Sequence, residues 1–187
     1  STAPTAVCQN ISVFLDGSGN ASITTGDADN GSSDNCAVSS SNLDLSAFTC
    51  ADVGANTVTL SLADASSNAS TCTSTVTVVD STAPTALCQN ISVYLDASGN
   101  ATIASTDVDN GSSDNCSVTN TIDVSSFTCS DVGANTVTLT AADASSNSAT
   151  CTSTVTVVDS TSPTAVCQNI SVYLDGSGNA TITSGDV

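Results

Sequence analysis

The chain has 187 residues and a formal net charge of −18, with no Lys, Arg or His to offset its acidic side chains. A polyanion without cations repels phosphate backbones and anionic lipid, which excludes nucleic-acid binding by charge neutralisation, and no apolar run reaches the ~18 residues of a membrane span. Lack of His and Lys also excludes triad chemistry, while 39% hydrophobic and 10% charged residues argue for a folded core rather than disorder.

Every acidic residue is Asp, and aromatics make up only 3% of the chain. The core is therefore expected to rest on Val, Ile, Leu and Ala, which makes it thin and in need of covalent support. Nine cysteines supply that support. Without His, and without a C-x-x-C pair, zinc is a poor account of them. Structural disulfides in an oxidising compartment are the better one.

In chain order, "PTAVCQNISVFLDGSGNASI" (Pro4 to Ile23) opens with alternating strand chemistry. Ile11 and Val13 face one way, Asn10 and Ser12 the other. "DGSGN" (Asp16 to Asn20) is a turn. "DADNGSSDNC" (Asp27 to Cys36) follows, with acidic residues at alternate positions beside Asn-Gly. "NTVTLSLAD" (Asn56 to Asp64) sets Val58, Leu60 and Leu62 against Thr57, Thr59 and Ser61. "DASSN" (Asp64 to Asn68) is the next turn, and "TCTSTVTVVD" (Thr71 to Asp80) sets Cys72, Val76 and Val78 against Thr73, Thr75 and Thr77. This is the period of two expected of half-buried strands. No stretch shows a helical period.

The order then repeats. Pro84 to Ile103 and Pro163 to Ile182 restate the opening, and "DVDNGSSDNC" (Asp107 to Cys116) restates the acidic stretch. The expected organisation is two whole units, 1–80 and 81–159, and the first strands of a third, 160–187. That pattern reads as a window on a longer array. The linker "VVDSTAPTA" (Val78 to Ala86) is short, and Pro84 and Pro163 stiffen it. All-β, immunoglobulin-like sandwiches held end to end are expected.

The "DST-PT" entry into each unit, the Cys with Ile three residues on, the "DNC", and the exit "AD-SSN----C---V-VVD" resemble the hyalin repeat (HYR) family, as found in secreted and surface proteins of Bacteroidota. The likeness covers both full units and the partial third. It departs at Gln9, where the family often has Pro, and at Ser67 and Ser146, where it usually has Gly. The resemblance implies immunoglobulin-like sandwiches in an extracellular adhesive or structural array, without enzymatic activity.

Four cysteines per unit allow three pairings. The expected one is Cys8–Cys72 with Cys36–Cys50, and Cys88–Cys151 with Cys116–Cys129. First and last strands commonly lie side by side, and a short loop separates the second pair. Cys167 would find its mate beyond Val187.

The acidic stretches carry two readings. Asp27, Asp29 and Asp34, with Asp64 and Asp80, and their counterparts Asp107, Asp109, Asp114, Asp143 and Asp159, are candidate calcium ligands at a junction. The same residues also suit solvated turns. No organic cofactor is expected. A carboxylate pair such as Asp27 and Asp29 could serve glycoside hydrolysis, but one catalytic pair in every module of a rod is a poor fit.

Candidate glycan acceptors are Ser81 and Ser160 in the "DST" linkers, and the sequon residues Asn10, Asn20, Asn30, Asn90, Asn100 and Asn110. Phe14, Tyr94 and Tyr173 share one repeat position, where a second packing layer is expected. Exposed rings there would instead suit a sugar or a subunit contact. The function expected is a stiff extracellular filament or stalk whose partners are further copies of the repeat. The alternative is a set of adhesin modules that bind a glycan or a protein.

Overall fold

The computed structural model describes residues 2–186. Its first half contains β1 (Ile11–Phe14), β2 (Asn20–Ser22), a one-turn helix α1 (Thr25–Ala28), β3 (Val38–Leu43), β4 (Ala47–Thr49), a 3-10 turn (Cys50–Asp52), β5 (Gly54–Asp64) and β6 (Ala69–Val79). Its second half repeats the order as β7 (Ile91–Tyr94), β8 (Asn100–Thr102), α2 (Ser105–Val108), β9 (Thr119–Ile122), β10 (Ser126–Thr128), a 3-10 turn (Cys129–Asp131), β11 (Gly133–Ala142) and β12 (Ser148–Val158).

Each half forms a four-stranded sheet, β1-β6-β5-β3 or β7-β12-β11-β9, and a two-stranded ribbon, β2-β4 or β8-β10. The long hairpin is the frame. β5 and β6 pair antiparallel from Gly54↔Val78 to Ala63↔Ala69. Alternation fixes that register: Val58, Leu60, Leu62, Val76 and Val78 are all buried, and a slip of one residue would turn them to water. The Asp64 carboxylate closes the turn by accepting from the Ser66 and Asn68 N–H groups at 2.8 and 2.9 Å. Ser67 completes it at φ 66°, and Ser146 does the same at φ 72°, the positive-φ non-Gly residues of the described chain. Glycine would fit both sites without strain.

β1 runs parallel to β6, with Ile11 opposite Val76 and Val13 opposite Val78. First and last strands are thus neighbours, and Cys8–Cys72 and Cys88–Cys151 link them as the sequence suggests. Phe48 and Phe127, at 1% and 2% exposure, are the one large aromatic filler of each core, packed among Val, Ile and Leu.

Three expectations need correction. Cys36–Cys50 and Cys116–Cys129 do not form; the bond is Cys50–Cys116, and Cys36 and Cys129 are free and exposed. Cys36 lies just before Val38, which pairs with Asp64 at one end of β5, whereas Cys50 lies just before Gly54 at the other end. An 11-residue strand separates those ends by about 33 Å. A short loop in sequence is therefore a long way in space.

Second, Phe14, Tyr94 and Tyr173 are 61%, 64% and 88% exposed, so no second packing layer covers them. β1 and β7 are edge strands, and their outer face has nothing above it.

Third, residues 160–186 contain no strand. In the first half β1 pairs with β6 and β2 with β4, and residues 160–187 hold no counterpart of β4 or β6. The segment keeps its local turn, where Asp175 accepts from the Ser177 and Asn179 N–H groups. Its apolar side chains stay open, Val166 at 84% and Leu174 at 70% exposure.

Candidate junction site between the two halves

The Asp114-Asn115-Cys116 turn of the second half seats against the pole of the first half formed by Asp16, Gly19, Cys50 and Asp80. Asp114 shapes the turn by accepting from the Cys116 N–H at 3.0 Å. The Asn115 amide then donates to the Asp16 carbonyl at 3.1 Å and to the Asp80 carboxylate at 3.4 Å. Cys116 closes on Cys50 with a Cα–Cα distance of 5.4 Å, and both sulfurs pack against the first core. Gly19 makes room: at φ +74°, a Cβ there would stand 2.8 Å from the Asn115 carbonyl oxygen. From the other side, Asn147 donates to the Asp80 carbonyl at 3.1 Å and to Asp143 at 2.7 Å.

Among the described residues, Asp80, Asp114 and Cys116 bring ligand-type atoms within 4.8 Å of one another. The Cys116 sulfur is committed to its disulfide, so the available donors are oxygens. Asp80 is only 6% exposed, and its Oδ1 also accepts from the Thr82 N–H. Asp114 Oδ1 and Asn115 Oδ1 are buried without a hydrogen-bond partner. Two carboxylates this close repel by about 3 kcal/mol at an effective dielectric near 20, and the chain has no cationic side chain to offset it. An all-oxygen donor set of this kind fits a hard cation such as calcium. Two carboxylates fall short of the six to eight oxygens that calcium takes, so water would supply the rest.

The other candidate ligands lie elsewhere and serve turns. Asp27 accepts from the Thr24 N–H and hydroxyl, and Asp107 from the Ala104 N–H, each capping its one-turn helix. Asp29 and Asp109 accept from the Ser32 and Ser112 N–H groups. Asp34 accepts from the Cys36 and Ala37 N–H groups, Asp64 and Asp143 close the long hairpins with Asn68 and Asn147, and Asp159 accepts from the Thr161 N–H. The backbone and hydroxyl of Thr24 hold the Asp27 carboxyl below the usual range; the Ser32 and Ser112 side chains, and then backbone N–H groups, do the same for Asp29 and Asp109. For Asp64 the first cause is the Asn68 amide.

Asp27, Asp29 and Asp34 therefore do not converge; Asp80 and Asp114 do, one from the linker and one from the module after it. The inter-half disulfide escaped sequence reasoning, because nothing in a single unit marks Cys50 and Cys116 as facing poles. The glycan candidates Ser81, Ser160, Asn10, Asn20, Asn30, Asn90, Asn100 and Asn110 are all exposed. Asn10 and Asn90 also use their side-chain oxygens to accept from the Thr75 and Thr154 N–H groups.

No known family pattern matches the chain, and no curated protein does. Solved structures with a similar course include the first two extracellular cadherin domains of human mucin-like protocadherin, at 12% identity over 84% of this chain and 98% of that one, with a TM-score of 0.39. Titin domains I67–I69 are similar at 11% identity over 85% of this chain and 67% of that one, TM-score 0.36. Protocadherin gamma B7 cadherin domains 1–4 match at 13% identity and TM-score 0.37, over 84% of this chain; the chain spans about half of that structure's length (51%). Likenesses this distant bear on neither ligand nor partner. No helix of the described residues is long and apolar enough to cross a membrane.

Proposed function

We propose that this chain is a structural, non-enzymatic stretch of an extracellular array in which successive β-sandwiches are locked at their poles into a stiff rod. The single observation that carries this reading is the Cys50–Cys116 bond, which crosses from one half to the other. A flexible tether needs no such bond. The linker needs only to connect, yet it is reinforced by a disulfide, by Asn115 on Asp16 and Asp80, and by Asn147 on Asp80. Three disulfides in one chain suit an oxidising, extracellular setting. The repeat resemblance agrees with that setting, and the exposed linker serines and sequon asparagines suit a glycan coat.

Calcium belongs to the same reading. Asp80 and Asp114 would hold it, with water completing the shell, and its charge would offset their repulsion. The test is the metal content and melting temperature of the chain before and after EDTA. Bound calcium and a clear fall in melting temperature support the stiffened joint. Neither one would remove calcium from the account and leave the disulfide alone.

A second reading has its own observation. Phe14 and Tyr94 are exposed at one repeat position in both halves. Such rings could stack on sugars, making the modules adhesive. Loss of binding to a glycan array on Tyr94→Ala would favour it, and no binding by the native chain would dismiss it.

A further inference from the structure

We infer that Cys36 and Cys129 are the two complementary halves of one more junction, through which a second copy of this chain joins the first head to tail by a disulfide. The inference rests on reading the Cys50–Cys116 joint as structural. That joint displays both halves in their bonded form. One half is a pole with Asp16, Gly19, Cys50 and Asp80; the other is the Asp114-Asn115-Cys116 turn.

Each half occurs once more with its cysteine unbonded. The far pole of the second half repeats the first component as Asp96, Gly99, Cys129 and Asp159, which line one groove with Ser162 and Pro163. Its local geometry is already that of the bonded pole. The Cys129 sulfur lies 3.8 Å from the Gly99 carbonyl oxygen, and the Cys50 sulfur 3.7 Å from that of Gly19. A Cβ on Gly99, at φ +76°, would meet the Cys129 sulfur at 2.5 Å, as one on Gly19 would meet Cys50. At the opposite pole, Asp34-Asn35-Cys36 repeats the second component. Asp34 takes the Cys36 N–H at 2.9 Å as Asp114 takes that of Cys116 at 3.0 Å. Asp34 Oδ1 is buried and unpartnered, as Asp114 Oδ1 is.

The remaining free thiol does not compete. Cys167 occupies the repeat position of Cys8 and Cys88, whose partners are Cys72 and Cys151, and both of those are bonded. Of the three free cysteines, only Cys36 and Cys129 match the two sides of an observed bond. The match is heterologous, so each copy that docks presents a fresh pole, and the assembly stays open rather than closing as a dimer.

The chemistry balances with a small-molecule disulfide as oxidant. The Cys129 thiolate attacks glutathione disulfide, giving a mixed disulfide and one glutathione. The Cys36 thiolate of the next copy then attacks the Cys129 sulfur and releases the second glutathione. The two cysteine protons end on the two glutathione thiols. The two electrons lost by the cysteines reduce the oxidant.

The test uses the whole chain in a glutathione redox buffer with enough salt to screen its charge. Products are read on a non-reducing gel, and digestion with an Asp-specific endoprotease is followed by mass spectrometry. We expect a ladder of multiples of the chain and a Cys36–Cys129 peptide. Cys36→Ser and Cys129→Ser should each abolish the ladder with an unchanged far-ultraviolet spectrum, and Cys167→Ser should leave it intact. Cys36–Cys36, Cys129–Cys129 or Cys167-linked products, or no products at all, would overturn the inference. The same digest separates the two claims. Cys50–Cys116 present without Cys36–Cys129 defeats this inference alone, whereas loss of Cys50–Cys116 takes the proposed function with it.

Discussion

Replacing Cys50 and Cys116 together by serine removes the joint's covalent link and leaves every other disulfide in place. The link spans 66 residues of sequence. Chain entropy for a closed loop of that length gives about 4 kcal/mol of stabilisation at 25 °C. That constraint acts fully only when both halves are unfolded. Its loss should therefore lower the free energy of complete unfolding by about 4 kcal/mol and let the halves melt separately. For a folded unit of this size the fall in melting temperature should be about 8–16 °C. Far-ultraviolet circular dichroism during guanidinium and thermal unfolding would follow it, since the chain has no Trp to report. Small-angle scattering of the folded protein should also show a broader spread of shapes. A double variant with an unchanged midpoint, an unsplit transition and the native scattering curve would refute the argument that this bond couples the two halves.

Three further outcomes follow from the same geometry. Ser67→Gly and Ser146→Gly should each raise stability by about 1 kcal/mol, because both serines hold a left-handed conformation; thermal melts of the single variants check this. Phe127→Ala should cost about 3–5 kcal/mol, whereas Tyr94→Ala, at 64% exposure, should stay within about 0.5 kcal/mol of native. Equal losses in urea titrations would contradict the packing described. The folded carboxyls of Asp27, Asp29, Asp64 and Asp109 lie below their ordinary value. The unfolded chain therefore binds protons first, and their stabilisation is complete above the unfolded value of about 3.9 and lost as pH falls through the folded one. Denaturation midpoints from these groups should hold from pH 7 to about 5 and drop below about 4; a rise in that window would reverse the sign.

The sandwich was legible because alternation is a local property. Val58, Leu60 and Leu62 against Thr57, Thr59 and Ser61 fix which face of β5 is buried, whatever lies around it. The neighbouring first and last strands were also readable, and with them Cys8–Cys72. The exposed rings were not, because parity says which face a side chain takes but not whether another layer covers it. Phe14 and Phe48 both sit in alternating strands, yet Phe48 faces the core from the β2-β4 ribbon and Phe14 lies on an open edge. The junction was the least legible part. Asp27, Asp29 and Asp34 are close in sequence, but each shapes its own turn. Asp80 and Asp114 are 34 residues apart and meet only because the second half docks on the first.

The locked junction depends on the Cys50–Cys116 bond, and disulfide mapping of the native protein tests it most directly. Digestion at Asp under non-reducing conditions, with free thiols blocked beforehand, should yield a peptide pair joining Cys50 to Cys116, beside Cys8–Cys72 and Cys88–Cys151. Recovery of Cys36–Cys50 and Cys116–Cys129 instead would confine every bond to its own half and contradict the locked junction.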